Sequence, residues 1–407
     1  MKKTSNVVII GGGIIGCSLA LSLARRTSGV VLVEKEGIAS QASGASYGMI
    51  WLQTRLPGFD VTFARTSLRM YDELISEEFD IDIEYERLGG LTVLRTPEQY
   101  YVMGKVVEQR QSIGYPVRLV DSEELHQLEP ALSPDLLGAT YCPEDSQLNP
   151  NLLTLAFARA AKRHGADIQT QTEVTGIRVE RGRVAGVQTD RGEIATRVVV
   201  NASGSWGRQV AKMAGVDVPV FPQRLESLVT ESIPERLLHR VLQGGRRVTA
   251  EEMEHPEKVL SFAVELPKDA GEESLPREPL DDCIFPFIKP TQAGNFVIGT
   301  TSEFVGHDKG VLPRTFHLFA QRAVEIVPRL KDLHIIRAWS NFVPFTFDSN
   351  PILGEVPELE GFFVAVGHAH ALSHAPPTAE TLAELIVNGK PSIPIDEANI
   401  LRFREKA

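Results

Sequence analysis

Three cysteines, at positions 17, 142 and 283, are spread over 407 residues. They are too few for a four-thiolate iron–sulfur or zinc centre within the chain. Odd in number and far apart, they give no disulfide framework, which predicts a reducing, cytoplasmic setting. No apolar run reaches the roughly 18 residues a membrane-spanning helix needs. Basic residues are in deficit, 42 against 53 acidic, for a net charge of −11. Nucleic acid is thereby disfavoured as a partner, since phosphate binding needs clustered Lys and Arg. Internal repeats and low-complexity tails are absent. What remains is ordinary globular composition, 43% hydrophobic and 23% charged, at a length that predicts two or three domains.

The most informative stretch is Val7 to Gly16, VVIIGGGIIG. A β-branched run feeds into Gly11-x-Gly13-x-x-Gly16, a helical pattern follows from Cys17 to Arg26, and a second apolar run, Val30 to Val33, ends at Glu34. Strand, glycine turn, helix, strand and acid are the order a dinucleotide fold requires. Gly11 lets the chain turn, Gly13 lets main chain approach a pyrophosphate, and Gly16 lets the helix pack on the strand. The helix N-terminus offers free N–H groups and a positive dipole end, and Glu34 can accept ribose hydroxyls. Met1-Lys2-Lys3 before an apolar run also imitates a signal peptide. Four glycines by Gly16, with Arg25-Arg26 and a further strand close behind, speak against cleavage and export.

Helical spacing covers 62–79, Pro97 to Ile113 and Leu152 to His164, with Gly165 as a stop signal. Strands are predicted at 91–94, 174–179, 184–189 and 193–201. Beyond Pro219 comes a β-rich region with runs at 225–230, 259–266, 284–289 and 296–300, then a helix from Arg314 to Val327. The acidic stretch from Pro267 to Asp282 reads as a solvated loop, or as a partner-docking flap. The nucleotide domain is left and re-entered. The predicted fold is therefore α/β: a Rossmann-like dinucleotide domain (1–50, 146–218 and 331–407) interleaved with a β-rich, α+β substrate domain (51–145 and 219–330).

Ser40 to Gly48, SQASGASYG, is a run of small residues just past the second strand. It would let main chain crowd against a pyrophosphate and a flat ring, where an ordinary NAD domain would enter a helix. Gly44, Ser46 and Gly48 also spell Gly-x-Ser-x-Gly, but a hydrolase elbow needs a strand immediately before and a helix after. Asn201-Ala202-Ser203 is formally a glycosylation sequon, placed at a buried strand end. Near the C-terminus, Val364-Ala365-Val366-Gly367-His368 and a helix from about Pro376 bring a second strand, glycine turn and helix start together.

Taken together, GGGIIG, Glu34-Lys35, the SGAS run, NASGSWG (201–207), Arg337-x-Trp339 with Asp348 and PILG (351–354), and Gly367-His368 resemble the D-amino-acid oxidase (DAO) type of FAD-dependent oxidoreductase. The matches span nearly the whole chain. The stretches 47–53 and 138–145 are more loosely similar to the flavin subunits of opine oxidase, D-hydroxyproline dehydrogenase and hydrogen cyanide synthase.

The resemblance implies FAD contacts at Gly11, Gly13, Ile14, Ile15 and Gly16, and at Glu34 and Lys35. It implies more at Ser43, Gly44, Ala45, Ser46, Gly48 and Met49, and at Val174, Ala202, Gly204 and Trp206. The last set is Gly367, His368, Ala369, His370 and Ala371. It further implies oxidation of a C–N bond of an amino acid, opine or other secondary amine by hydride transfer to flavin N5, giving an imine that hydrolyses. Such chemistry rests on positioning and on a helix dipole at the ring. No cysteine follows Cys283, where the sarcosine oxidase type carries its flavin-linking residue, so non-covalent FAD is expected.

One departure matters. Glycine-oxidase-like relatives carry an Arg for the substrate carboxylate four residues after the tryptophan matching Trp339, and Val343 stands there. Another cation takes the role, or the substrate lacks a carboxylate at that place. The candidates are His370, His374, Arg224 and Arg55. Phe342, Phe345, Phe347 and Trp339 are candidate pocket walls. His368, His370 and His374 have no carboxylate beside them in sequence, and no metal site is expected. The partners expected are a small-molecule amine and either oxygen, a quinone or iron–sulfur partner subunits. A flavin subunit that only relays electrons is the alternative, and an NAD-dependent dehydrogenase a third reading.

Overall fold

The computed structural model describes residues 4–245, 247–256 and 286–404. Runs predicted at 259–266 and the acidic stretch 267–282 lie outside the described residues, as does Cys283. The first βαβ unit is β1 (Val7–Ile10), α1 (Ile14–Ala24) and β2 (Val30–Val33). These strands sit inside a six-stranded sheet in the spatial order 352–355, 362–366, 199–201, β1, β2, 167–169. All pairings are parallel except that of the edge strand Ile352–Glu355. A parallel sheet must be covered on both faces, and alternation along β1 and β2 supplies both. Val7, Ile9, Val30 and Leu32 pack under α1 and the helices Pro150–Arg163 and Ala371–Asn388. Val8, Ile10, Val31 and Val33 pack under an antiparallel meander of Val174–Glu180, Arg183–Thr189 and Gly192–Ala195.

The second layer is an eight-stranded sheet in the order 335–345, 221–230, 296–299, 287–290, 241–244, 90–94, 138–142, 118–121. One face packs on the helix Pro313–Ile326 through Phe319, Ala323 and Ile326. The span 331–407 drawn for the nucleotide domain includes a strand that does not join the parallel sheet. Ile335–Phe345 pairs along its length with Phe221–Thr230 and is the edge of the eight-stranded sheet. Its apolar run resembles any buried strand, and only the register of the partner reveals which sheet it joins.

The predicted helices are present at Phe59–Glu77, Pro97–Ser112, Pro150–Arg163 and Pro313–Ile326. Their starts follow local chemistry. Thr96 and Gln99 form a reciprocal capping box before Pro97, and the Asn149 side chain caps the helix opened by Pro150. The last helix departs from expectation, beginning at Ala371 rather than near Pro376. Pro376 cannot donate the N–H that would bond the Leu372 carbonyl. The Tyr71 hydroxyl donates to that oxygen instead, at 2.7 Å. This tertiary bond satisfies the first-turn carbonyl that Pro376, one turn further on, leaves without its helical donor.

Candidate functional site

The carboxyl ends of β1, β2, Val199–Asn201 and Phe362–Val366 open onto one continuous cavity of about 1760 Å³. That exceeds the ~300–1000 Å³ usual for a drug-sized ligand. Gly11 turns the chain there at φ +117°, and a Cβ on it would sit 2.6 Å from the Ala202 carbonyl oxygen. A Cβ on Gly16 would overlap the Gly11 carbonyl. The glycines are thus demanded by contact between α1, β1 and the strand end at Ala202. Gly13 starts α1 with no side-chain cap, so the positive end of the helix faces the cavity.

Glu34 lies on the floor, accepting from the N–H groups of Gly12 (2.7 Å) and Glu36 (2.8 Å). A carboxylate offers about four acceptor positions, so capacity for a diol remains. Beside it the Lys35 ammonium sits 4.4 Å from the centre of the Trp206 ring. Val174, Ala202 and Gly204 complete this end of the wall.

The small-residue run forms a single helical turn, Ala42–Ala45, then Met49–Ile50 pairs with Ser146–Gln147. Ser43 accepts from the Ile14 N–H at 2.9 Å and so ties this turn to the start of α1. The Ala45 carbonyl is held by Trp339 Nε1 (3.2 Å) and Asn341 Nδ2 (3.0 Å). From the far end of the chain, Gly367 turns at φ +78°, and His368, Ala369, His370 and Ala371 then enter the cavity wall. Gly13 and the 368–371 segment therefore border one space. Ile14, Ile15, Ser43, Ser46 and Met49 line it too, whereas Gly16, Gly44, Ala45, Gly48 and Gly367 are not on the wall and shape the backbone behind it. A cradle that admits no Cβ, with a helix start and an acidic floor, fits a dinucleotide.

The four substrate-end candidates separate. Arg55 lines the cavity and is 3% exposed. Its Nη2 donates to Thr54 Oγ1 at 3.1 Å, while Nε and Nη1 have no hydrogen-bond partner. Asp60 lies 3.6 Å from Nη1. Burial would push the Asp60 carboxyl up. Arg55 and the hydrogen bond with His374 outweigh that and hold it down at about 2. His374 does not reach the wall; it is buried with Nε2 2.9 Å from Asp60 Oδ1. His370 does line the cavity.

Arg224 is a correction. It is buried between Glu303 (2.8 Å) and Asp308 (3.3 Å), off the cavity wall, and its charge is already matched. His368 is bonded to Thr378, and burial, with His374 nearby, holds its imidazole well below the ordinary range and so neutral. Among the described residues no His, Cys, Asp and Glu side chains group as metal ligands.

The pocket aromatics are also redistributed. Of the four expected, Phe345 lines the cavity. Phe342 packs on Trp206 and His307, Phe347 on Phe221 and Phe403, and Trp339 braces Ala45. Tyr47, Trp51 and Phe287 take their place. Phe287 stacks on Tyr47 at 5.9 Å and meets Trp51 edge-on at 6.1 Å. Tyr47 lies within the small-residue run and Trp51 just past it, a signal present in the sequence. Phe287 reaches the site through sheet order alone, as do the polar wall residues Gln223, Gln243 and Thr301.

Against known proteins, the family described as DAO, FAD dependent oxidoreductase, matches residues 6–385. The hydrogen cyanide synthase subunit HcnC of Pseudomonas aeruginosa is 28% identical, over 99% of this chain and 97% of that one. Human mitochondrial sarcosine dehydrogenase is also 28% identical over 99% of this chain, which spans 42% of its length. The crystal structure of glycine oxidase from Geobacillus kaustophilus superposes with a TM-score of 0.83 at 27% identity, covering 98% of this chain and 99% of that one.

Proposed function

This chain belongs to the DAO family of FAD-dependent oxidoreductases, and from that premise we propose that it oxidises the C–N bond of an amine bearing a carboxylate, with Arg55 gripping the carboxylate. Bound FAD supplies the hydride acceptor. The residues of this chain do the rest: they hold the cofactor, orient the amine and exclude water. Gly11, Gly13, the start of α1, Glu34 and Ser43 would hold the dinucleotide, and the first turn of Ala371–Asn388 would present its dipole to the ring. Tyr47, Trp51, Phe287 and Phe345 supply an apolar wall for the substrate body. The product imine would be hydrolysed by water.

The observation that carries the reading is the state of Arg55. A buried guanidinium on the cavity wall, with two nitrogens unpartnered and an acidic neighbour at 3.6 Å rather than in bidentate contact, calls for an incoming anion. The names of the relatives support it, since sarcosine and glycine are amines that carry a carboxylate. Anaerobic mixing with a panel of amines, paired with and without a carboxylate, tests it. Bleaching of the flavin by the carboxylated member of each pair is expected, and equal bleaching by both members would overturn the reading.

We further propose that FAD is held without a covalent link, so trichloroacetic acid should release the yellow colour into the supernatant. The chain's cysteines leave no internal iron–sulfur relay. Electrons would pass to oxygen, or to a quinone or an iron–sulfur partner subunit. Peroxide formation by the purified chain alone separates these. Cys17 and Cys142 are free, buried thiols, which supports a cytoplasmic location, testable by cell fractionation.

A further inference from the structure

Behind the substrate wall lies a smaller cavity of about 50 Å³, enough for one carboxylate or a few waters. Thr54, Gln99, Gln243, Gly245 and Val248 line both spaces, so the two share one wall of side chains and turn. Arg110 lines the smaller cavity. It is 1% exposed, and its Nε and Nη1 have no hydrogen-bond partner. The Tyr115 ring lies 5.0 Å from its guanidinium, and the Tyr115 hydroxyl donates to the Arg55 main-chain carbonyl at 3.1 Å. The two arginines are thus joined through one tyrosine.

Their charges do not balance. Asp60 is the strongly ionised carboxylate acting on both guanidiniums. Asp145 also acts on Arg55, but burial pushes that carboxyl up to about 7, leaving it only partly ionised near neutral pH. Arg55 and Arg110 therefore share Asp60 as their principal counter-charge. Unmatched buried charge is costly, and one carboxylate on Arg55 uses one grip only.

We propose that the Arg110 cavity is a second anion subsite, so that the preferred substrates are amines with two acid groups: dicarboxylic amino acids or amino acids whose nitrogen carries a carboxyalkyl arm. The proposal rests on the Arg55 reading. One carboxylate docks on Arg55 beside the oxidised C–N bond, and the other passes between Thr54 and Val248 to Arg110. Gln53 rigidifies the partition between them. Its Oε1 accepts from the Thr92 and Thr140 hydroxyls at 3.0 and 2.6 Å, and its Nε2 donates to Asp145 at 2.6 Å.

Two non-oxidisable acids that differ only by a second, terminal carboxylate test this on the holoenzyme. Butyrate and glutarate are titrated separately while the visible absorption of the bound flavin is followed. Glutarate is expected to bind at least about tenfold more tightly, the scale of one charge-assisted contact. Arg110→Met should bring the glutarate-to-butyrate ratio close to one. So should Val248→Phe, which enlarges a residue of the wall common to both spaces and leaves the guanidinium in place, and it carries the test if the methionine variant does not fold. Equal binding of the two acids by the unaltered protein would overturn the subsite while leaving the Arg55 reading standing. A ratio that survives both substitutions would do the same. If neither acid binds, both readings fall together.

Discussion

At the nucleotide end of the cavity the wall is mostly main chain, and at the substrate end it is mostly side chains. Gly11, Gly13 and the start of α1 present N–H groups and a dipole, all within ten residues of sequence. Arg55, Asp60, His374, Tyr115 and Arg110 meet from distant segments, with the bonded pair Asp60 and His374 314 residues apart. A main-chain wall fails by steric exclusion, because a single added carbon meets fixed backbone. A side-chain wall fails by loss of charge balance, which is graded and depends on pH. The two ends should respond to substitution in different ways.

Gly16→Val should give the largest effect. The new side chain would overlap the Gly11 carbonyl, main chain that cannot swing aside, so the cradle itself should not form. The purified variant is expected to lack flavin, read from its visible spectrum. Normal flavin content would break the contrast, since the cleft would then tolerate what its geometry forbids.

Next in size is Arg55→Met, which should retain flavin and lose substrate. Removing one partner of a buried charge pair costs about 2–5 kcal/mol, so the dissociation constant for a carboxylated amine should rise on the order of 100-fold. The concentration dependence of anaerobic flavin reduction measures it. A rise confined to the reduction rate, with binding unchanged, would mean that Arg55 does not grip the substrate.

The smallest effect is on stability in acid. The Asp60 carboxyl titrates at about 2 in the folded chain against an ordinary value of 3.8. A depressed acid stabilises the fold above its unfolded value, and that contribution is lost as pH falls from about 4 to about 2. It amounts to about 2 kcal/mol. Asp60→Asn should therefore unfold more easily than the parent at pH 6 and show a flatter decline below pH 4, measured by urea midpoints across pH. A parallel decline would place the pairing elsewhere.

The same division explains what could be read from sequence. Strand, glycine turn, helix and acid are contiguous, and β1, α1, β2 and Glu34 stand where their spacing predicts because each glycine answers a local steric demand. The family match to residues 6–385 agrees with the resemblance carried by those motifs. The substrate end was half legible. Arg55 was nameable as a cation after the small-residue run, but nothing in sequence distinguished it from Arg224, whose charge is matched by Glu303 and Asp308. Arg110 sits in a helix of unremarkable polarity, Pro97–Ser112, and its burial follows only from how that helix lies against the sheet. The early start of the final helix was hidden because the group that satisfies its first-turn carbonyl, Tyr71, is 301 residues away.

That tyrosine has a wider consequence. It stands on Phe59–Glu77, the helix that also carries Asp60, so one rod touches the ring-facing turn twice, through Leu372 and through His374. If Arg55 grips an acid as proposed, that acid would compete with Asp60 for the guanidinium and leave more of the aspartate's charge to the histidine. Occupancy at one end of the chamber would then be felt, through a rigid strut, beside the turn proposed to face the ring. An amine that docks correctly would tune the oxidant that is about to act on it.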